Sequence, residues 1–116
     1  MKIVKKANNL YVNINLDEPV NRHRPSVDYF FKSVAEHLGH EVVALLLTGM
    51  GKDGAAGLLD LKNRGAFTIC QDEQSSVVFG MPKEGIRLGG AKKVLSLDDM
   101  PQGLLDALDK KKNSVA

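Results

Sequence analysis

Apolar and polar positions alternate at the start of the chain and then switch to a helical period. Lys2 to Lys6 and residues 10–16 read as two short strands. In the second, Val12, Ile14 and Leu16 alternate with Tyr11, Asn13 and Asn15, which gives one apolar face. Ala7-Asn8-Asn9 between them suits a hairpin turn. Asp17-Glu18-Pro19 ends the second strand, and residues 20–25 form a polar, basic loop closed by Pro25. Ser26 then opens a helix as an N-cap serine with Asp28 in the first turn. Val27, Phe30, Phe31, Val34 and Leu38 recur at helical spacing along one face, and Gly39 is a natural stop.

The period then shortens again. Residues 42–47 are all apolar and stop at Thr48-Gly49-Met50-Gly51-Lys52-Asp53-Gly54. A buried parallel strand feeding a helix through a glycine turn has this pattern. The helix predicted over 54–64 carries Leu58, Leu59 and Leu61, and Gly65 ends it before a strand over 66–71. Residues 72–80 are a loop with a polar half and an apolar half. Pro82 and Glu84 predict a short helix to Leu88, followed by Gly89-Gly90 and a strand over 94–97. Asp98 is expected to cap a last helix reaching about Lys112, with Met100, Leu104, Leu105 and Leu108 on its inner face. The prediction is an α/β domain over 1–112: an N-terminal β-hairpin, then a mainly parallel sheet with helices on both faces, as in an incomplete doubly wound fold. Residues 113–116 are expected to fray.

Composition narrows the class. At 116 residues and 43% hydrophobic, the chain has material for one core. Its longest apolar run falls far short of the ~18 residues of a membrane span, and the N-terminus lacks the order of a signal peptide. The expectation is a cytoplasmic protein without membrane insertion. The single cysteine, Cys70, excludes an internal disulfide and lies in an apolar strand, as a buried inert thiol would. Three histidines with one cysteine show no metal spacing, so no metal is expected. A net charge of +2 gives no reason to expect nucleic acid, and Lys110-Lys111-Lys112 reads as a solvated helix end.

Asp53, the one acid in the glycine turn, is the candidate for chemistry because active groups collect at the carboxyl ends of parallel strands. It has three readings. The first is an N-cap of the helix that follows. The second is part of a phosphate cradle, since Gly49 to Gly54 superficially matches Gly-x-Gly-x-x-Gly, although no Gly-Lys-Ser/Thr is present. The third is the acid of a Ser-His-Asp triad. Physics alone ranks the N-cap first.

Three long stretches, in order, resemble the catalytic domain of the chemotaxis protein-glutamate methylesterase (CheB-type) family. They are Pro19-Val20-Asn21-Arg22-His23-Arg24-Pro25-Ser26-Val27-Asp28, then Leu47-Thr48-Gly49-Met50-Gly51-Lys52-Asp53-Gly54-Ala55-Ala56-Gly57, then Gln71-Asp72-Glu73-Gln74-Ser75-Ser76-Val77-Val78-Phe79-Gly80-Met81-Pro82. The resemblance implies hydrolysis of glutamyl methyl esters on chemoreceptors, with deamidation of glutamines as a related activity and no cofactor. It makes Asp53 the triad acid and the Met50 backbone amide one donor of the oxyanion hole. It also places Ser75 and Ser76 near the substrate. Arg22 and Arg24 carry two readings: ion pairs that hold the loop to Glu18 and Asp28, or attraction to an acidic receptor helix.

The family's serine and histidine precede the matched region, and Met1 falls where a methionine follows that histidine. The chain is therefore expected to be the C-terminal portion of such a domain, inactive alone, with the preceding half as a partner. None of Ser26, His23, His37, His40, Ser75 or Ser76 has the surroundings of a replacement triad member. Without the preceding strands, an open sheet edge is expected to favour self-association. The alternatives are a non-catalytic module docking on receptors or a partner half, and, more weakly, a nucleotide-binding half-domain.

Overall fold

A computed structural model describes residues 2–6, 9–13 and 26–114. It opens with β1 (Lys2–Lys6) and β2 (Asn9–Asn13), paired antiparallel with Lys2 opposite Asn13 and Lys6 opposite Asn9. The hairpin is as expected, except that Asn9, assigned to its turn, is the first residue of β2; residues 7–8 of the turn and 14–16 of the second strand lie outside the described residues. The hairpin forms its own two-stranded sheet. It docks on α1 (Val27–Leu38), where the Ile3 amide donates to Ser33 Oγ at 2.8 Å and that hydroxyl donates back to the Phe30 carbonyl.

A 3-10 turn, Gly39–Glu41, leads from α1 into β3 (Val43–Leu46). Next come α2 (Ala55–Asn63), β4 (Phe67–Gln71), α3 (Met81–Arg87), β5 (Lys93–Leu95) and α4 (Met100–Ser114). The three later strands form one parallel sheet in the order β3-β4-β5, with Val43 beside Phe67 and Ile69 beside Lys93. The central strand β4 is buried along its whole length; its polar Thr68 and Gln71 are buried with hydrogen-bond partners, Thr68 donating to the Gly90 carbonyl and Gln71 bonding the Thr48 amide and the Ser75 carbonyl.

Alternation along the strands divides the core in two. Ala44, Leu46 and Cys70 face α1 and α2 and meet Val34, Ala35, Leu58 and Leu61; Val27, Phe30, Phe31 and Leu38 of the predicted α1 stripe close over them. Phe67 and Ile69 point to the opposite face and meet Met100 and Ala107 of α4. Among the described residues, helices thus cover both faces, α1, α2 and (through Met81 and Ile86) α3 on one and α4 on the other. Cys70 is fully buried, and burial pushes its thiol up to about 11. This is the inert thiol that its apolar strand suggested.

The last helix departs from expectation. It starts at Met100, its opening turn is closed by Ser96 through bonds from the Asp99 amide, and it runs on to Ser114. Its inner face is Met100, Gly103 and Ala107, while Leu105 and Leu108 are 56% and 46% exposed. The close approach explains the rotation. A Cβ on Gly103 would collide with Leu95 Cδ1, so the helix meets the sheet through its smallest residues and turns Leu105 and Leu108 outward, with Leu104 half-buried between. Among the described residues, no helix is long and apolar enough to cross a membrane.

Helices α1 and α2 approach most closely at Gly57. A Cβ there would stand 2.6 Å from Phe31 Cβ and 3.2 Å from both Cα and the carbonyl oxygen of Asp28. In an exposed helix, Gly→Ala gains roughly 1 kcal/mol. Here overpacking against atoms that cannot rotate away dominates. Gly57→Ala is expected to destabilise the fold by about 1–3 kcal/mol in chemical denaturation; a stabilised variant would contradict the close approach.

Candidate functional site

Three connections leave the carboxyl ends of β3, β4 and β5, and their side chains tie them together. Gln71, the last residue of β4, is 1% exposed. Its Oε1 accepts from the Thr48 amide at 2.7 Å, and its Nε2 donates to the Ser75 carbonyl at 2.9 Å. The Ser75 hydroxyl donates to Asp72 Oδ1 at 2.7 Å and accepts from the Leu97 amide at 2.9 Å. The Ser76 hydroxyl donates to the Asp72 carbonyl. Thr48 and Val78 exchange two bonds through the threonine hydroxyl. The expected loop pair Ser75 and Ser76 therefore stands beside the glycine turn with both hydroxyls engaged in bracing it.

The turn itself presents one amide outward. The Gly49 carbonyl accepts from the Gly80 amide at 3.0 Å and the Met81 amide at 2.9 Å. Gly80 must be glycine for this approach, since a Cβ would come within 2.7 Å of the Gly49 oxygen and 2.9 Å of the Gly51 nitrogen. Gly49 C=O and Met50 N–H belong to one planar trans peptide, so the Met50 N–H points away from α3. Among the described residues that N–H has no partner, and the Met50 side chain is 81% exposed. Gly51, at φ +89°, supplies the backbone turn that follows.

Asp53 does not cap the helix it precedes. The N-cap of α2 is Gly54, at φ +103° and without a side-chain bond. That left-handed residue turns the Asp53 side chain onto α1 instead. Asp53 Oδ2 accepts from the Val27 amide at 2.7 Å, and Oδ1 accepts from the Asp28 amide at 3.1 Å and the Ser26 hydroxyl at 2.9 Å. Ser26 is the N-cap of α1, as expected, accepting from the Tyr29 amide. Asp28 returns the arrangement: its Oδ1 accepts from the Gly57 amide of α2 at 2.7 Å. Each helix thus has its N-terminus held by an aspartate belonging to the other. Asp53 is 6% exposed and Asp28 is 4% exposed.

The phosphate-cradle reading fails on this geometry. A phosphate needs the free amides at the start of α2, and the buried Asp28 carboxylate already takes one of them and would repel a second anion. Of the histidines, His37 lies in the last turn of α1, about 15 Å from its first residue by helical rise, and His40 follows it. Both are exposed and remote from Asp53. Arg22, Arg24 and His23 lie outside the described residues. Among the described residues, no group of three or more His, Cys, Asp or Glu is placed to hold a metal.

The structure carries Asp53 and Met50 on one glycine turn and ties Ser75 to the start of that turn through Gln71 and Thr48, while Ser76 bonds within its own loop. It adds Ser26, Asp28, Gln71, Thr48 and Gly80, whose parts in the site sequence reasoning missed. Ser26 and Asp28 were visible as a cap and a first-turn acid. Their bonds to residues about two dozen positions away leave no local signal.

Comparison with known proteins points the same way. The family model described as CheB methylesterase matches residues 1–104. A protein-glutamate methylesterase/protein-glutamine glutaminase of Paraburkholderia xenovorans is 49% identical over 91% of this chain and 29% of its own length. One from Bordetella avium is 52% identical over 90% of the chain and 30% of its own length. The chain therefore spans less than a third of the length of these relatives. The crystal structure of the Thermotoga maritima CheB methylesterase catalytic domain superposes with a TM-score of 0.86 at 33% identity, covering 90% of this chain and 56% of that one.

The loop makes a titration prediction. Hydrogen bonds from the Ser75 hydroxyl and then its amide hold Asp72 below the usual carboxylate value of 3.8. A depressed acid stabilises the folded loop at neutral pH, and that contribution fades as falling pH protonates it. In Ser75→Ala, the NMR titration of the Asp72 carboxyl is expected to move up towards the ordinary value. An unmoved midpoint would remove Ser75 as the cause.

Proposed function

The chain belongs to the CheB methylesterase family, and we propose that it supplies the acid and one oxyanion donor of a protein-glutamate methylesterase. The observation that carries this reading is the pairing of a rigid buried carboxylate, Asp53, with an outward Met50 amide that has no partner among the described residues, both on one glycine turn. The acid of a triad must stay ionised, hold a histidine in one tautomer and stabilise the imidazolium that forms. Donors from the start of α1 favour the charged carboxylate and fix it in place. The Met50 N–H, aimed by the Gly49 peptide plane, suits the oxygen that becomes negative in a tetrahedral intermediate.

In the full reaction a serine attacks the glutamyl ester carbonyl while a histidine takes its proton. Methanol leaves, and water then cleaves the acyl-enzyme. Attack on a glutamine side chain follows the same course with ammonia leaving. This chain contributes Asp53 and Met50; the serine and histidine are supplied by polypeptide outside these 116 residues. Ser75 and Ser76 serve the site by fixing the loop beside the turn, next to the path of the substrate. Arg22 and Arg24 add positive charge to the sequence of a kind suited to glutamate-rich chemoreceptor helices. Alone, the chain is inactive.

Methanol release from methylated receptor tests this. The chain is assayed alone, then with a separately expressed polypeptide carrying the part of a relative's catalytic domain that precedes the matched region. Activity is expected only on mixing. Asp53→Asn, which keeps an acceptor oxygen but loses the charge, should lower kcat by about 10⁴-fold. Release by the chain alone, or full activity of the Asp53→Asn mixture, would sink the assignment. Silence of the mixture with both parts folded would favour a docking module without catalysis.

A further inference from the structure

We infer that Gln71 is a positioning residue for the Met50 amide, fixing the segment that carries this N–H against the loop that aims it; this rests on the reading of Met50 given above. Strands β3 and β4 part at their carboxyl ends. Leu46 opposite Cys70 is their last pair, and beyond it the Asp72 amide bonds the Leu95 carbonyl, so the chain leaving β4 follows β5. The Thr48 amide, two residues past β3, finds its acceptor in a side chain instead, Gln71 Oε1 at 2.7 Å. The other end of the same carboxamide donates from Nε2 to the Ser75 carbonyl at 2.9 Å and to Ser75 Oγ at 3.2 Å. Its orientation is forced, because a peptide N–H only donates and a peptide carbonyl only accepts.

Both ends of this bridge lead to the Met50 peptide. On one side Thr48 is joined to Gly49, whose amide bonds the Val78 carbonyl at 2.9 Å and whose carbonyl accepts from Gly80 and Met81. On the other side Ser75 opens the segment that contains those three partners. Ser75 is itself anchored: its amide and hydroxyl donate to Asp72 Oδ1, and its hydroxyl accepts from the Leu97 amide. Gln71 therefore closes the gap between turn and loop at its base, where the strands have separated. Without the carboxamide, the Thr48 N–H and the Ser75 carbonyl both lose a buried partner. The turn and the loop can then shift against each other, and the Gly49–Met50 peptide plane turns with them. A donor to a developing oxyanion is effective because it is already aimed. At 1% exposure, Gln71 does this without touching substrate.

The positioning is read first in the 15N-labelled chain, where no catalysis is needed. The order parameter of the Met50 N–H is expected at about 0.85 in the wild type, as for rigid backbone, and below about 0.6 in Gln71→Met, with the amides of α4 unchanged. Gln71→Asn is the milder substitution. It keeps a carboxamide but is one methylene shorter, so it cannot bring both ends into hydrogen-bond range, and it should loosen Met50 in the same way. A loss of global stability would not single out the amides of the turn. In the esterase assembled as above, both variants should lower kcat by about 10–10²-fold with KM unchanged. A Met50 N–H as rigid in both variants as in the wild type, or a loss appearing in KM alone, would overturn the inference while leaving Met50 as the oxyanion donor. A loosened Met50 with kcat unchanged, or an inactive wild-type assembly, would instead remove the reading of Met50, and the role of Gln71 with it.

Discussion

Two aspartates, each holding the start of the other's helix, are the constraint on which the rest of the arrangement depends. Asp53 leaves the turn before α2 and accepts from the first residues of α1; Asp28 leaves the first turn of α1 and accepts from α2. Hydrogen bonds to charged groups contribute roughly 1.5–3 kcal/mol each, more than neutral ones. Both carboxylates are almost fully buried. That burial is tolerable because helix N-termini offer otherwise unpaired amides and a favourable dipole. The exchange is mutual, so neither helix can tilt without stripping donors from both acids. A buried charge deprived of its partners is among the costliest defects a core can carry.

Small residues make the exchange geometrically possible. Gly57 lets α2 lie against Phe31 and the backbone of Asp28, and Gly54 has the left-handed conformation that swings Asp53 across. A Cβ at Gly54 would meet Leu46 and Val27 at 2.9 Å, so the same residue sits where the sheet, α1 and the turn converge. On the far side of the turn, Gln71 and Thr48 fasten the loop after β4 to the end of β3. The glycine turn is thereby gripped from both sides, by α1 through Asp53 and by the loop through Thr48 and Gly49.

Elements set by local pattern were legible in the sequence. The α1 stripe from Val27 to Leu38, the wholly buried β4 and the alternation of strands and helices all follow from spacing. What escaped depends on contacts distant along the chain. Asp53 looked like a cap for its own helix because an acid before a helix usually is one; the positive φ of Gly54 decides otherwise, and nothing in the residue order shows it. The inner face of α4 was misjudged at Leu105 and Leu108 because leucines were ranked by apolarity. The sheet selected Gly103 and Ala107 for their size. The chemistry of the turn was legible only as a long motif: composition offered Asp53 as a choice among three roles, and the geometry removed the phosphate cradle by showing Asp28 at the amide it would need.

Under the proposed function, the placement of Asp53 has a consequence for catalysis. Every donor described on Asp53 comes from this chain, and the orientation of the Met50 amide is set by Gly80 and Met81 of the same chain. The two groups proposed to stabilise charge, Asp53 for an imidazolium and the Met50 amide for an oxyanion, are thus both oriented by this chain's own bonds. Preorganised dipoles need no reorientation as charge develops, which is the source of their catalytic effect. In the proposed reaction, the mobile work of proton transfer and nucleophilic attack falls to groups outside these residues. A site divided in this way demands accuracy mainly at the meeting of the two parts, and the Asp53 carboxylate, rigid on its side of that junction, supplies a fixed point against which a histidine can be aligned.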